Sequence, residues 1–135
     1  ADGGNDRITG GKGNDVIDAG DGNNTIYASL NDGDDVYTGG AGSDTIDYQA
    51  ITAALTVNLG SSGSGSAVSA QSGSDALNGI ENVKGGAGAD IIYASNAHNV
   101  MDGGLGDDKF VFNSAAAADG DRLEQSVEGQ RHWRL

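Results

Sequence analysis

A nine-residue repeat is the feature that most restricts how this chain can fold. Five copies follow one another near the start, with one two-residue slip at Ala28 and Ser29, and read ADGGNDRIT, GGKGNDVID, AGDGNNTIY, LNDGDDVYT and GGAGSDTID. The pattern returns from residue 85 as GGAGADIIY, ASNAHNVMD and GGLGDDKFV. A fixed period of this kind indicates a solenoid, in which each repeat adds one similar structural unit.

Two places of the repeat keep their chemistry in every copy. Counting back nine residues from Asp90 adds a ninth copy, ALNGIENVK, with Glu81 at the sixth place. The eighth place is then always apolar, at Ile8, Ile17, Ile26, Tyr37, Ile46, Val83, Ile92, Met101 and Phe110. The sixth place always carries an oxygen-bearing side chain, at Asp6, Asp15, Asn24, Asp35, Asp44, Glu81, Asp90, Asn99 and Asp108.

These two columns predict a turn followed by a short strand in each repeat. Glycines in the first four places permit positive φ, and triplets such as TIY and DVY suit strands. Two repeats would form one flattened coil of eighteen residues, so that strands two repeats apart stack in parallel at about 4.8 Å. The apolar column would then point inward between two thin sheets.

Composition limits the partners of such a chain. Its 135 residues suit one domain, but 24 glycines, no proline and a net charge of −13 make an unusual core and a strongly acidic surface. This charge argues against nucleic acid and anionic membranes and favours cations. The sequence has no cysteine, no apolar run long enough for a membrane span and no signal peptide. Because the pattern is already running at Ala1, we interpret the sequence as a fragment.

Stacked coils would bring the sixth-place carboxylates together. Two unit charges about 4 Å apart repel by roughly 1 to 4 kcal/mol, depending on the local dielectric. A hard divalent cation between the loops would remove this repulsion, since calcium accepts six to eight oxygens from carboxylates and backbone carbonyls. The sequence therefore predicts that the bare chain resists folding.

The repeat resembles the RTX (repeats-in-toxin, haemolysin-type) calcium-binding nonapeptide, G-G-x-G-x-D-x-U-x. The copies that begin at Gly10, Gly39 and Gly85 fit every constrained place, and the copy at Gly103 fits with Phe110 as the apolar residue. The resemblance covers about residues 1–47 and 76–112. It implies a right-handed parallel β-roll with several calcium ions held between loops of repeats i and i+2.

The resemblance also implies a ligand set. In the family, one loop supplies the carbonyls of its first and third residues, the other those of its second and fourth, and both supply the sixth-place side chain. Carried onto this sequence, the implied metal ligands are Asp6, Gly10, Gly11, Lys12, Gly13, Asp15, Gly20, Gly22, Asn24, Gly33, Asp35, Gly39, Gly40, Ala41, Gly42, Asp44, Gly79, Glu81, Gly85, Gly86, Ala87, Gly88, Asp90, Asn99, Gly103, Gly104, Leu105, Gly106 and Asp108.

The order in which these side chains stack depends on the phase of the roll. If the segment between the two blocks leaves the phase unchanged, one edge stacks Asp6, Asn24, Asp44, Asp90 and Asp108, and the other stacks Asp15, Asp35, Glu81 and Asn99. The strongest sites would pair two aspartates, namely Asp15 with Asp35, Asp44 with Asp90, and Asp90 with Asp108. Sites that touch residues 94–99, where the loop has no glycine, would be weakest or empty.

We divide the chain into repeats at 1–47, a connector at 48–75, further repeats at 76–112 and a closing segment at 113–135. Leu55, Val57 and Leu59 alternate like a strand with one buried face, and residues 60–66 form a Ser/Gly tract typical of a flexible loop. The closing segment is similar to the one that caps many RTX rolls. The expected fold is all-β: a right-handed parallel β-roll, interrupted by a short insertion with an extra strand or hairpin and closed by a C-terminal cap.

Catalytic chemistry finds little support in the sequence. Lys12 is followed by glycine, so GGKGND lacks the spacing of a phosphate-binding loop. No serine lies in a G-x-S-x-G motif. His98 and His132 are interpreted as surface residues, and carboxylate pairs such as Asp34 with Asp35 recur too regularly for a glycosidase acid pair. We expect no enzyme activity from this chain.

Two functions remain open from the sequence. The first, implied by the resemblance, is a calcium-binding module that folds on binding Ca²⁺ outside the cell and supports type I secretion and stability of a larger bacterial protein. The second is an accessory module that binds the polysaccharide substrate of an extracellular enzyme or adhesin, with Tyr27, Tyr48, Tyr93 and the connector as contacts. Both predict an extracellular monomer whose partners are calcium and the rest of the parent protein, with no nucleic acid and no membrane span.

Overall fold

Short β-strands make up the regular structure of the chain in the computed structural model. The structure describes residues 3–61, 64–95 and 99–111, and the backbone of residues 122–124 and 130–134. Within these ranges there is no helix, and so none that could cross a membrane. The strands are β1 (Arg7–Thr9), β2 (Val16–Asp18), β3 (Thr25–Tyr27), β4 (Val36–Thr38), β5 (Thr45–Asp47), β6 (Leu55–Ser61), β7 (Ser64–Ser69), β8 (Gly73–Asn78), β9 (Asn82–Lys84), β10 (Ile91–Tyr93), β11 (Val100–Asp102), β12 (Asp107–Val111), β13 (Arg122–Glu124) and β14 (Gln130–Arg134).

The strands pair into two sheets. A six-stranded sheet has the spatial order β1, β3, β5, β9, β11, β13, and an eight-stranded sheet has the order β14, β12, β10, β6, β7, β8, β4, β2. In the first repeats, successive strands alternate between the sheets, and strands two repeats apart pair in parallel. Eighth-place residues lie side by side in these pairs, Ile8 with Ile26 and Ile17 with Tyr37. The predicted all-β roll is confirmed.

The core lies between the two sheets and contains the eighth-place side chains. Ile26 and Ile46 of the six-stranded sheet, and Ile92 and Phe110 of the eight-stranded sheet, expose no surface. Burial of each such side chain contributes about 1.5–3 kcal/mol. Ile8, on the outermost strand β1, is only partly buried against this core.

Residues 48–75, predicted as a connector between the two blocks of repeats, add strands to one sheet only. β6 pairs antiparallel with β7, and β7 pairs antiparallel with β8. β8 then pairs in parallel with β4, and β6 pairs in parallel with β10. Wherever it is described, the Ser/Gly tract at 60–66 lies in β6 and β7 rather than in a flexible loop, because antiparallel pairing satisfies its backbone groups.

This insertion shifts the phase of the roll. In the six-stranded sheet β5 pairs directly with β9, whereas in the eight-stranded sheet β6, β7 and β8 separate β4 from β10. When the nine copies are numbered in chain order, odd-numbered copies supply the six-stranded sheet before the insertion and even-numbered copies supply it afterwards. The unchanged phase that the predicted stacking order assumed does not hold.

Of the predicted cap at 113–135, two backbone segments are described. β13 pairs in parallel with β11, and β14 pairs in parallel with β12, so each sheet gains one strand. The rest of the predicted cap, together with residues 96–98 of the glycine-free loop, lies outside the described residues.

Candidate metal sites

Sixth-place side chains form a hydrogen-bonded column where the chain enters the six-stranded sheet. The amide of Asp6 donates to Oδ1 of Asn24 at 2.9 Å, and the amide of Asn24 donates to Oδ1 of Asp44 at 2.9 Å. The amide of Asp44 donates to Oε2 of Glu81 at 2.8 Å. Each side chain thus binds the backbone of the coil before it through one oxygen.

A second column lies where the chain enters the eight-stranded sheet. The amide of Asp15 donates to Oδ1 of Asp35 at 2.7 Å, and the amide of Asp35 donates to Oδ1 of Asp75 at 3.0 Å. Beyond the insertion, the amide of Asp90 donates to Oδ1 of Asp108 at 2.9 Å. The structure therefore brings together two of the aspartate pairs expected from the sequence, Asp15 with Asp35 and Asp90 with Asp108.

The expected pair of Asp44 and Asp90 does not form. Oδ1 of Asp90 accepts a hydrogen bond from the amide of Leu55 at 2.9 Å, because β6 and not β5 lies beside β10. Glu81, expected on the edge of Asp35, instead contacts Asp44. Because of the phase shift, Glu81 joins the column at the six-stranded sheet and Asp90 joins the column at the eight-stranded sheet, the reverse of the predicted order.

Glycine loops of neighbouring coils lie in direct contact. A Cβ on Gly40 would collide with the carbonyl oxygen of Gly20, and a Cβ on Gly42 would collide with that of Gly22. The amide of Gly22 donates to the carbonyl of Ala41 at 2.9 Å. Carbonyls therefore point into the space between loops from both sides. The same close approach recurs between Gly13 and Gly33, Gly33 and Gly73, Gly86 and Gly104, and Gly88 and Gly106.

The remaining implied ligands take regular places in these loops. The first-place glycines pack against the sixth-place carboxylate of their own loop, which leaves no room for a Cβ; they are Gly10, Gly39, Gly85 and Gly103. Gly79 faces the loop of Gly39, and Gly11 has open space beside it. Third-place side chains differ: Lys12 and Leu105 are exposed and Ala87 is half-buried.

Several sixth-place carboxylates keep a buried oxygen without a hydrogen-bond partner, namely Oδ2 of Asp6, Asp15 and Asp44. A buried acceptor left in this state costs about 1–3 kcal/mol. Nowhere in the described part of the chain do three Asp, Glu or His side chains converge on one point. The donor set is instead paired side chains with backbone carbonyls, an all-oxygen set that fits calcium.

The family comparison agrees with this geometry. The model of the RTX calcium-binding nonapeptide repeat (4 copies) matches residues 1–31, 29–46 and 71–110, more than half of the 135 residues. This chain belongs to the RTX family. Its repeats therefore form a structural calcium-binding module. Comparisons with curated proteins and with solved structures each gave no match.

Burial raises the pKa of several RTX carboxylates. Desolvation raises the pKa of Asp75 and of Asp90 to about 6, and nearby carboxylates add to both shifts. Desolvation also raises the pKa of Asp44 and of Glu81, with their mutual repulsion adding to that of Glu81. The fold therefore disfavours the charged form of these groups when no cation neutralises them.

Asn99, in the RTX loop that has no glycine, is hydrogen-bonded to neighbouring residues. Nδ2 of Asn99 donates to the carbonyl of Glu81 at 2.7 Å and to Oγ of Ser95 at 2.8 Å. Weak or empty sites at residues 94–99 stay a prediction.

Asp75 is a sixth-place RTX residue that reasoning from the sequence missed. It is buried, and its Oδ1 accepts from the amide of Asp35. The signal was present, because GSDAL at 73–77 repeats the spacing of GSDTI at 42–46. Counting in nines passed over it, since Glu81 follows Asp75 by only six residues.

The tyrosines expected to contact polysaccharide differ in exposure. Tyr48 exposes no surface, and its hydroxyl donates to Oδ2 of Asp75 at 2.7 Å. The expectation that Tyr48 contacts a glycan is therefore wrong. Tyr27 accepts a hydrogen bond from Nε of Arg7 at 3.0 Å, and Tyr93 is 39% exposed.

Proposed function

We propose that this RTX module folds on binding Ca²⁺ outside the cell and thereby supports type I secretion and stability of a larger secreted protein. The observation that carries the proposal is the buried, unpartnered Oδ2 of Asp15 and Asp44 beside glycine loops whose carbonyls lie against the next coil. Folding without a cation leaves these oxygens unsatisfied and the carboxylates in mutual repulsion. Folding with one supplies the missing positive charge.

The pairs that would hold calcium follow the hydrogen-bonded columns. Asp15 with Asp35, Asp44 with Glu81, and Asp90 with Asp108 each supply side-chain oxygens from adjacent coils. The intervening loops supply carbonyls. Because each ion would join two coils that are far apart in the unfolded chain, its binding free energy would contribute to folding. Low calcium inside a cell would keep the chain unfolded for export, and high calcium outside would fold it.

Circular dichroism during calcium titration tests this proposal. We expect a coil-like far-UV spectrum after chelation, a β spectrum after calcium addition, and reversal by chelator. Magnesium at the same concentration is the control, since its octahedral preference suits these loops poorly. An identical β spectrum with and without calcium would overturn the proposed function.

A further inference from the structure

One loop of the roll buries the acidic side chain at its third place. Asp32 occupies the third place of its repeat and is only 2% exposed, whereas Lys12, Asp21 and Ala41 at the same place are exposed. Asn31, beside it, adopts φ of 58°, a left-handed conformation that glycine provides at this place in other copies. The loop thus keeps the RTX turn while burying an additional carboxylate.

The neighbouring coil places Ser72 level with Asp32. Parallel pairing of β4 with β8 sets Val36 beside Ala76, an offset of forty residues. The same offset continues into the loops, where the amide of Asn31 donates to the carbonyl of Gln71 at 2.7 Å. Asp32 and Ser72 directly follow these two residues, so they lie at the same level of adjacent coils.

Both residues carry a buried oxygen without a partner. Oδ2 of Asp32 accepts from the amide of Ser29 at 2.6 Å and lies 3.5 Å from the hydroxyl oxygen of Tyr37, whereas its Oδ1 has no hydrogen-bond partner. Oγ of Ser72 also has none, and Ser72 exposes no surface. These are the only two such oxygens in the described residues that lie outside the sixth place of the repeat.

The surrounding groups are acidic or acceptor-rich. The hydroxyl of Tyr37 donates to Oδ2 of Asp35 at 2.6 Å, and that of Tyr48 donates to Oδ2 of Asp75. Both tyrosine hydroxyl protons are therefore directed to sixth-place carboxylates and not to Oδ1 of Asp32. A cation at Asp32 and Ser72 would satisfy both unpartnered oxygens and offset the buried negative charge.

We propose that Asp32 and Ser72 hold an additional calcium ion between loops 28–35 and 70–75, separate from the sixth-place ligand set of the repeat. Carboxylate and hydroxyl oxygens are donors that a hard cation accepts. The inference rests on the proposed calcium-dependent function and adds one site to it. It also explains why the loop that lacks the glycine pair carries an inward aspartate.

Calcium stoichiometry of the full chain, measured by equilibrium dialysis, tests this site. We expect Asp32→Asn to bind one ion fewer per chain. Asp34→Asn is the matched control: it removes the same charge in the same loop, and Asp34 is exposed and accepts from the amide of Ser74, which an asparagine oxygen also does. It should keep every ion that the unaltered chain binds.

Ser72→Ala provides a second variant that changes no charge. We expect it to weaken one ion and leave the affinities of the others unchanged; this variant decides the question if Asp32→Asn does not fold. Unchanged stoichiometry and affinities in both variants, as a bridging water would give, would overturn this inference alone. Absence of calcium binding by the unaltered chain would overturn the proposed function as well.

Discussion

The amide of Asp44 donates to Oε2 of Glu81 at 2.8 Å, although the two residues are 37 positions apart in the chain. This contact joins the last coil before the insertion to the first coil after it. It exists because β5 pairs with β9 while the inserted strands enter the other sheet. The acidic column therefore continues across the insertion with a glutamate in place of an aspartate.

This relationship predicts which carboxylates share a calcium ion. In a double-mutant cycle, Asp44→Asn and Glu81→Gln should be non-additive in calcium binding free energy, with a coupling of about 0.5–3 kcal/mol. Both changes keep the oxygen acceptors of the column and remove only charge. Isothermal titration calorimetry of the two single variants and the double variant measures the coupling.

The matched control is the pair expected from the sequence alone, Asp44→Asn with Asp90→Asn. These residues lie on opposite edges of the roll, so their effects should add within about 0.5 kcal/mol. A larger coupling of Asp44 to Asp90 than to Glu81 would contradict the stacking order of the structure.

The repeat period was enough to predict the coils and their apolar core, because a fixed spacing repeats the same local chemistry. Ile26 and Ile46 lie buried side by side for this reason. The phase across the insertion was not predictable in this way. It depends on how many strands residues 48–75 add and to which sheet, which is decided by long-range pairing of β6 with β10 and β8 with β4.

Close contact between loops predicts unequal effects of alanine at two second-place glycines. Gly11 and Gly40 have nearly the same φ, +107° and +104°, so backbone strain of about 1–3 kcal/mol applies to both. A Cβ on Gly40 would also collide with the carbonyl of Gly20, whereas nothing lies within 4 Å of one on Gly11. We expect Gly40→Ala to lose more stability and more calcium affinity than Gly11→Ala, measured by urea unfolding in calcium and by calorimetry. Equal losses would show that the loops do not hold this contact.

The buried bond between Tyr48 and Asp75 predicts a stability cost for loss of one hydroxyl. Tyr48→Phe leaves Oδ2 of Asp75 without its donor and should lower the free energy of unfolding in calcium by about 1–3 kcal/mol. Tyr27→Phe removes a hydroxyl whose bonds to Arg7 are exposed, so it should change stability by less than about 0.5 kcal/mol. Urea unfolding of both variants at saturating calcium gives the comparison. A cost for Tyr27→Phe as large as that for Tyr48→Phe would contradict the assigned burial.

Raised carboxylate pKa values predict that acid partly replaces calcium. Burial raises the pKa of Asp75 and of Asp90 from 3.8 to about 6, so between these values the folded chain binds more protons than the unfolded chain. The stability of the metal-stripped protein should therefore rise as the pH falls through about 6 and should be lost again as the pH rises. Circular dichroism of that protein should show more β structure at about pH 5 than at about pH 7.5.

The double variant Asp75→Asn/Asp90→Asn is the control for this pH dependence, because asparagine does not titrate. It should hold more β structure than the unaltered chain in metal-free buffer at neutral pH, and its spectrum should change less between the two pH values. Its calcium response should weaken at the same time, since it lacks two sixth-place negative charges. Loss of β structure in the unaltered, metal-stripped chain on acidification would contradict the raised pKa of Asp75 and of Asp90.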